Sequence, residues 1–357
     1  MRIVQIIDSL NPGGAERMAI NYANALAQRI EFSGLISTRT EGILSNQIES
    51  KVCYLFLNKK KRIDFFAISR LRKYLKKNRV DIIHAHSSSF FIAVLVKFTM
   101  PKIKIVWHDH YGTRVRETKK ENRVLVFLSI FFYSIFAVNH ELIEWSKKNM
   151  KCSRVIFIPN FTRFPKIVKQ ETNLKGNDGK RIVILANLKN PKNHILILKA
   201  FCELKLNEMG WSLHLIGKDY YDIYSDILKN FIKSNSLADH IFLYGEKNDI
   251  RYILSQSTIG VLTSTQEGFP VTLLEYGLEN LAVVSTNVGY CSIIIKNEFT
   301  GLLFNPFSEF EIKEQLLKVV EDDSARMKMG NNLGQLIDEK YSEKKVIEQI
   351  ILAYNKK

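Results

Sequence analysis

Short apolar runs alternate with helix-length amphipathic stretches along most of the chain, and the alternation breaks once and then resumes. The first set of runs is Ile3–Ile7, Glu31–Ser37, Val52–Leu57, Asp81–Ala85, Lys104–Trp107, Ile135–Val138 and Val155–Ile158. Helical patterns lie between them, among them Gly14–Gln28, Phe65–Asn78, Ser88–Thr99 and Glu141–Met150. Strands that alternate with helices imply a parallel sheet covered on both faces. The pattern stops near Pro159-Asn160-Phe161, and the polar stretch Thr162–Lys180, with Pro165, Gly176 and Gly179, reads as an interdomain connection. It resumes with strands at Arg181–Ala186, Trp211–Ile216, His240–Tyr244, Ile259–Thr263 and Ala282–Ser285. Helices are expected at Pro191–Asn207, Tyr221–Asn235, Asp249–Ser255 and Val271–Glu279, and two or three more from Glu309 to Tyr354. A chain of 357 residues suits two such domains better than one core.

Composition narrows the function classes. The net charge of +16 admits an anionic membrane surface or nucleic acid as partner, or simply a lysine-rich surface. The lysine runs, such as Lys59-Lys60-Lys61-Arg62, Lys76-Lys77 and Lys119-Lys120, carry no arginine-aromatic module of a nucleic-acid binder. Cys53, Cys152, Cys202 and Cys291 are too scattered for a metal knuckle or redox pair and read as reduced thiols of a cytoplasmic protein. The opening run ends at Asp8 without a cleavage site, so it reads as a buried strand rather than a signal peptide. The most apolar segment, Val124–Val138, is shorter than the roughly 20 residues of a membrane span and reads as a buried helix entering a strand, or as a hydrophobic face dipping into a membrane interface.

Ligands of open parallel sheets bind at the carboxyl ends of the strands, so the loops there carry the chemistry. After the first strand, Gly13 and Gly14 open a helix; their amides can hold a phosphate, or form an ordinary tight turn. His84, His86, His108, Asp109 and His110 cluster at the ends of two further strands. Neighbours in extended chain point to opposite faces, which argues against a metal in His108-Asp109-His110 and for contacts to a substrate hydroxyl or a structural role. In Asn187–His194, Pro191 is expected in a first helical turn with Lys192 near the helix start, where a cation and free amides can hold a diphosphate. In Ser264–Glu275, Glu267 precedes a helix and Glu275 lies about two turns inside it; each can accept hydrogen bonds from the hydroxyl pairs of a sugar or ribose.

At these residues the chain resembles the retaining GT-B glycosyltransferases of family 4 (glycosyl transferases group 1) over nearly its whole length. The strongest element is the paired-glutamate motif Glu267–Glu275, written EGFPVTLLE. GGAER at Gly13–Arg17, IPN at Ile158–Asn160, NLKNPKNH at Asn187–His194, STNVGY at Ser285–Tyr290 and GLLF at Gly301–Phe304 support it. The resemblance implies two Rossmann-like, doubly wound domains facing across a cleft. Residues 1–162, joined by a helix over 342–357, would bind acceptor; residues 163–341 would bind a nucleotide-diphosphate sugar, UDP- or GDP-linked.

It further implies that Gly13 and Gly14 face the diphosphate and that Lys192 stabilises its charge. Glu267, with Gly268, Phe269 and Pro270 beside it, would hold the donor sugar, and Glu275 the ribose. His108, or else His110, would contact the reacting centre. Transfer would retain configuration and need no metal or other cofactor. Where many members carry glycine-arginine, this chain has Ala186-Asn187; Lys189 or Arg181 could supply the missing charge. The expected function is sugar transfer to a glycan or lipid-linked acceptor in bacterial surface polysaccharide assembly (capsule, O-antigen or lipopolysaccharide), at or near the inner face of the membrane and without a nucleic-acid partner. The alternatives are a nucleotide-sugar epimerase and a nucleotide-sugar-binding protein without turnover.

Overall fold

A computed structural model describes residues 1–112, 114, 117–118, 120–164 and 169–355; Pro165 of the expected connection, Lys119 and the last two residues of the expected final helix lie outside them. The chain divides into two compact units, one of Met1–Thr162 with Glu343–Lys357 and one of Arg163–Ser342.

In the first unit the strands are β1 (Arg2–Ser9), β2 (Phe32–Thr40), β3 (Cys53–Phe56), β4 (Ile82–His86), β5 (Lys104–Asp109), β6 (Ser134–Ala137) and β7 (Val155–Phe157). They form one sheet in the order β3-β2-β1-β4-β5-β6-β7, with every pairing parallel. The helices are α1 (Gly14–Leu26), α2 (Phe65–Lys77), α3 (Phe90–Lys97), α4 (Arg123–Leu128) and α5 (His140–Asn149). The two-residue period of the strands sorts side chains between two layers. Val4 and Ile6 of β1 join a core with Leu71 of α2, Ala93 of α3 and Trp107 of β5. Ile7 faces the other way, packing with Ala19, Ile20 and Ala23 of α1. The apolar segment at Val124–Val138 is α4, a 3-10 turn and β6, as its length required.

The second unit has β8 (Arg181–Leu185), β9 (Ser212–Ile216), β10 (Ile241–Gly245), β11 (Ile259–Leu262), β12 (Ala282–Thr286) and β13 (Leu302–Phe304), all parallel, in the order β10-β9-β8-β11-β12-β13. The helices α6 (His194–Glu203), α7 (Ile223–Ser234), α8 (Ile250–Ser255), α9 (Val271–Leu278), α10 (Cys291–Ile294), α11 (Glu309–Glu321) and α12 (Asp323–Tyr341) cover it. The final helix, α13 (Glu343–Asn355), belongs to the first unit, where Gln349 donates to the carbonyl of Phe157 and Arg154 to that of Ala353. Both units are Rossmann-like α/β folds. Each has its strand order reversing beside its first strand, between β1 and β4 and between β8 and β11. A crevice opens at that switch point, because successive crossovers leave in opposite directions.

Three expectations change. β13 shows in the sequence only as a motif, since three residues are too few to show alternation. The helix expected from Pro191 starts at His194, because Lys189–Lys192 closes a turn (Lys192 N–H to Lys189 O, 2.9 Å) and Asn193 takes a left-handed conformation with φ 53° before the helix begins. Glu275 lies one turn into α9, not two, since four residues separate it from the helix start at Val271.

Candidate functional site

In the second unit, the loops leaving β8 and β11 meet at the switch point. Three bonds tie them: Thr265 N–H to the Pro191 carbonyl at 2.9 Å, the Thr263 hydroxyl to the Lys192 carbonyl at 2.7 Å, and the Thr265 hydroxyl to the Pro191 carbonyl at 3.4 Å. Lys192 Nζ stands 2.6 Å from Glu267 Oε1, with side-chain exposures of 28% and 12%. A half-wet charge pair of this kind is a modest stabiliser, but it holds a cation and a carboxylate acceptor side by side at the mouth of the sheet.

Glu267 is fixed from behind. Gly289 has φ 53°, and a Cβ there would lie 1.8 Å from the Glu267 carbonyl oxygen, so only glycine permits this approach. Phe269 stacks on Tyr290 at 4.7 Å and meets Tyr341 edge-on at 5.6 Å, which anchors the Gly268-Phe269-Pro270 turn. Pro270 caps α9 with no side-chain bond; Leu273 N–H bonds the Pro270 carbonyl at 3.2 Å, and the Val271 and Thr272 amides precede the helical ladder. Glu275 is buried on the same helix. Its neighbour Tyr276 is fully buried; its hydroxyl accepts from Leu185 N–H at 3.0 Å and donates to the Val261 carbonyl at 3.1 Å, riveting α9 to β8 and β11.

Asn187 serves the loop structure. Its Oδ1 accepts from Lys218 N–H at 3.0 Å, joining the exit of β8 to that of β9. Gly217 permits the approach, since a Cβ there would sit 2.1 Å from the Ala186 carbonyl oxygen. The junction carries two cations on one ring: the amines of Lys218 and Lys189 lie 5.3 and 5.6 Å from the centre of Tyr220. Arg181 is excluded as the extra phosphate charge. At the amino end of β8 its guanidinium pairs with Asp178 and donates to the carbonyls of Lys175, Gly176 and Gln256. Lys218 escapes a reading of the sequence; its position just past a strand, beside a glycine, is the available signal.

In the first unit, Gly13 precedes α1 in extended conformation with no side-chain cap, and the Glu16 carboxylate folds back against it: a Cβ on Gly13 would meet Glu16 Oε2 at 2.2 Å. His84 and His86 lie in β4, His86 as its last residue, His108 lies near the end of β5, and His110 stands just past it. The divergence expected within His108-Asp109-His110 holds for Asp109, but a cluster forms across two strands. Alternation separates His108 from Asp109 but puts His108 and His110 on one face, beside His84 and His86 of the adjacent strand. Ligand atoms of His84, His86 and His108 all lie within 4.8 Å of one another. Yet the rings stand nearly parallel, His84 to His108 at 13° and His84 to His86 at 24°, and bond edge to edge, so their lone pairs meet ring protons instead of one central point. Asp109 turns to the other face and pairs with Arg114 at 2.5 Å.

The bonds set the tautomers. The Tyr354 hydroxyl on α13 lies 2.6 Å from His84 Nδ1 and His84 Nε2 lies 3.1 Å from His108 Nδ1; a phenol is a stronger donor than a neutral imidazole N–H, so with Tyr354 donating the His84 proton lies on Nε2 and is donated to His108 Nδ1. His108 therefore carries its proton on Nε2. In the second column, Gln5 Oε1 accepts from His86 Nε2 at 2.8 Å, so His86 Nδ1 accepts from His110 Nε2 at 2.9 Å and His110 Nδ1 is a bare acceptor. His108 Nε2 and His110 Nδ1 are both buried without a protein partner. Burial pushes His84, His86 and His108 well below the usual imidazole range and His110 down to about 3, keeping all four neutral at pH 7.

Residues 12–163 match the family model described as Glycosyltransferase Family 4, and residues 166–335 match Glycosyl transferases group 1. An uncharacterized glycosyltransferase of Haemophilus influenzae is 23% identical over 94% of this chain and 95% of its own. The UDP-Gal:alpha-D-GlcNAc-diphosphoundecaprenol alpha-1,3-galactosyltransferase of Escherichia coli is 24% identical over 77% of this chain and 75% of its own. Among solved structures, Anabaena HepE in complex with UDP and glucose aligns with a TM-score of 0.81 at 16% identity, over 99% of each chain.

Proposed function

Because this chain belongs to the glycosyltransferases of group 1 and family 4, with their GT-B pairing of two Rossmann-like units, we propose that it moves a sugar from a nucleotide diphosphate to a lipid-linked or glycan acceptor with retention of configuration, in bacterial surface polysaccharide assembly. The observation that carries the reading is the Lys192–Glu267 pair at the switch point of the second unit. In this account Lys192, helped by Lys218 or Lys189 and the first-turn amides of α9, neutralises the departing diphosphate. Glu267 and the Gly268-Phe269-Pro270 turn hold the donor sugar, Glu275 the ribose, and Asn187 keeps the β8 exit in place. In the first unit, Gly13 and Gly14 serve a phosphate once Glu16 swings away, and His108 Nε2–H donates to a substrate oxygen.

The acceptor hydroxyl attacks the anomeric carbon on the face the phosphate leaves. The new carbon–oxygen bond forms as the bond to phosphate breaks, and the departing phosphate oxygen takes the hydroxyl proton. The lysine charge substitutes for a divalent metal. The UDP in the HepE structure and the diphosphoundecaprenol acceptor in the name of the Escherichia coli relative support a UDP donor and a lipid-diphosphate acceptor. We place the reaction at the cytoplasmic face of the membrane. The test supplies UDP- and GDP-sugars with an undecaprenyl-diphosphate glycan, with and without EDTA, and reads nucleoside diphosphate release and the product's anomeric coupling. Retained configuration with EDTA present supports the proposal. Inverted product or a metal requirement overturns the mechanism, and binding without diphosphate release leaves a sugar-nucleotide binder.

A further inference from the structure

The first unit carries a surface that the transfer reaction does not use. α2 opens with Phe65 and Phe66, which are 79% and 80% exposed, and Ile63 just before them is 50% exposed. They stand clear of the helix's packing, which runs through Ala67, Leu71 and Leu75 to the core. The surrounding charge has one sign. Lys60, Lys61 and Arg62 precede the helix, Arg70, Arg72 and Lys73 lie on it, and Lys76, Lys77 and Arg79 close it; all are exposed. The one acid from 59 to 80 is Asp64, and it is spent as the helix cap, accepting from Ala67 N–H and Lys60 N–H. An open groove of about 800 Å³ runs alongside, its wall including Lys60, Lys61, Phe65, Phe66 and Arg70.

We infer that this face docks the protein on an anionic phospholipid membrane, with Phe65, Phe66 and Ile63 entering the interface and the lysines and arginines meeting lipid phosphates. Adjacent bare phenylalanines next to an isoleucine, rimmed by cations, suit an acyl boundary beneath lipid phosphates. Basic residues amid aromatic and aliphatic ones are what an interfacial helix needs to hold a surface it does not cross. None of the helices among the described residues is long and apolar enough to span a bilayer, so contact of this interfacial kind is the form available to this face. Membrane docking stands apart from the transferase reading, since binding to a bilayer is read without turnover.

The experiment is co-sedimentation of the full chain with vesicles of phosphatidylcholine alone and of phosphatidylcholine with phosphatidylglycerol. The wild type is expected to bind the anionic vesicles and to be released by salt. The double variant Lys60→Ala/Lys61→Ala should bind about thirtyfold more weakly, from the typical contribution of a basic residue near a charged bilayer. Phe65→Ser/Phe66→Ser should bind roughly tenfold or more weakly even at low salt, with an unchanged melting temperature because both rings are exposed. Wild-type failure to bind, or wild-type affinity in both variants, overturns the inference. So does displacement by a DNA oligonucleotide that depends on the lysines but not on the phenylalanines, which would assign the face to nucleic acid.

Discussion

Lowering the pH from 7 to about 5 should destabilise the first unit strongly, and the magnitude follows from its four stacked histidines. Each of His84, His86, His108 and His110 is held neutral in the fold by burial, far below the ordinary imidazole value. In the unfolded chain each titrates near 6.5. The folded value is the lower one, so the unfolded state takes up protons that the fold refuses, and stability is lost as pH falls below 6.5. If none of the four takes a proton in the fold, the cost at about pH 5 reaches at most about 2 kcal/mol per histidine, or about 8 kcal/mol for the cluster. The second unit carries two such groups, His194 and His214, each lowered to about 4 by burial, so its loss should be about half as large. Since whole domains are stable by only about 5–15 kcal/mol, the first unit should come close to unfolding. Ordinary carboxylates titrate below this window and add little to it. The assay is urea unfolding at a series of pH values between 7 and 5, followed by Trp107 and Trp145 of the first unit against Trp211 of the second. Equal and flat stability in both units across the range would refute the reasoning.

Three substitutions probe the sites directly. Tyr354→Phe leaves the buried Nδ1 of His84 without its donor and should cost about 1–3 kcal/mol in urea unfolding, with imidazole nitrogen spectra showing that His108 no longer holds one tautomer; unchanged stability and spectra would contradict the relay. Gly289→Ala must push the Glu267 backbone aside and take a left-handed conformation costing about 1 kcal/mol, so nucleotide should no longer raise the melting temperature; full nucleotide stabilisation would show that this contact is not needed. Lys192→Ala should slow transfer by roughly a hundredfold or more while leaving the fold intact, since the amine lies at the surface of its unit; wild-type turnover would remove Lys192 from the mechanism.

The fold is legible because parallel strands buried on both faces announce themselves as apolar runs, and all seven strands of the first unit and five of six in the second carry that signal. β13 escapes because three residues have no period. Motifs mark Lys192, Glu267 and Glu275, but nothing in the sequence joins Lys192 to Glu267 across 75 positions, or Tyr354 to His84 across 270. Such contacts are made by strand order, and strand order is set by crossovers that leave no local trace. The histidine cluster is hidden for the same reason: His108 and Asp109 diverge as alternation requires, but the partners of His108 and His110 come from β4. Asn187 departs from the family's arginine, and its bond to Lys218 shows an asparagine serving the loop where a cation was expected.

The central claim is that the Lys192–Glu267 crevice holds a nucleotide diphosphate without a metal. The most direct measurement is the melting temperature of wild type and Lys192→Ala with UDP, GDP and ADP, each with and without EDTA. A ligand that binds the fold alone raises the melting temperature by mass action. The account predicts that UDP or GDP raises it in the wild type equally with EDTA present, and that the shift disappears in Lys192→Ala. No shift with any nucleotide, a shift abolished by EDTA, or an undiminished shift in the variant would contradict it.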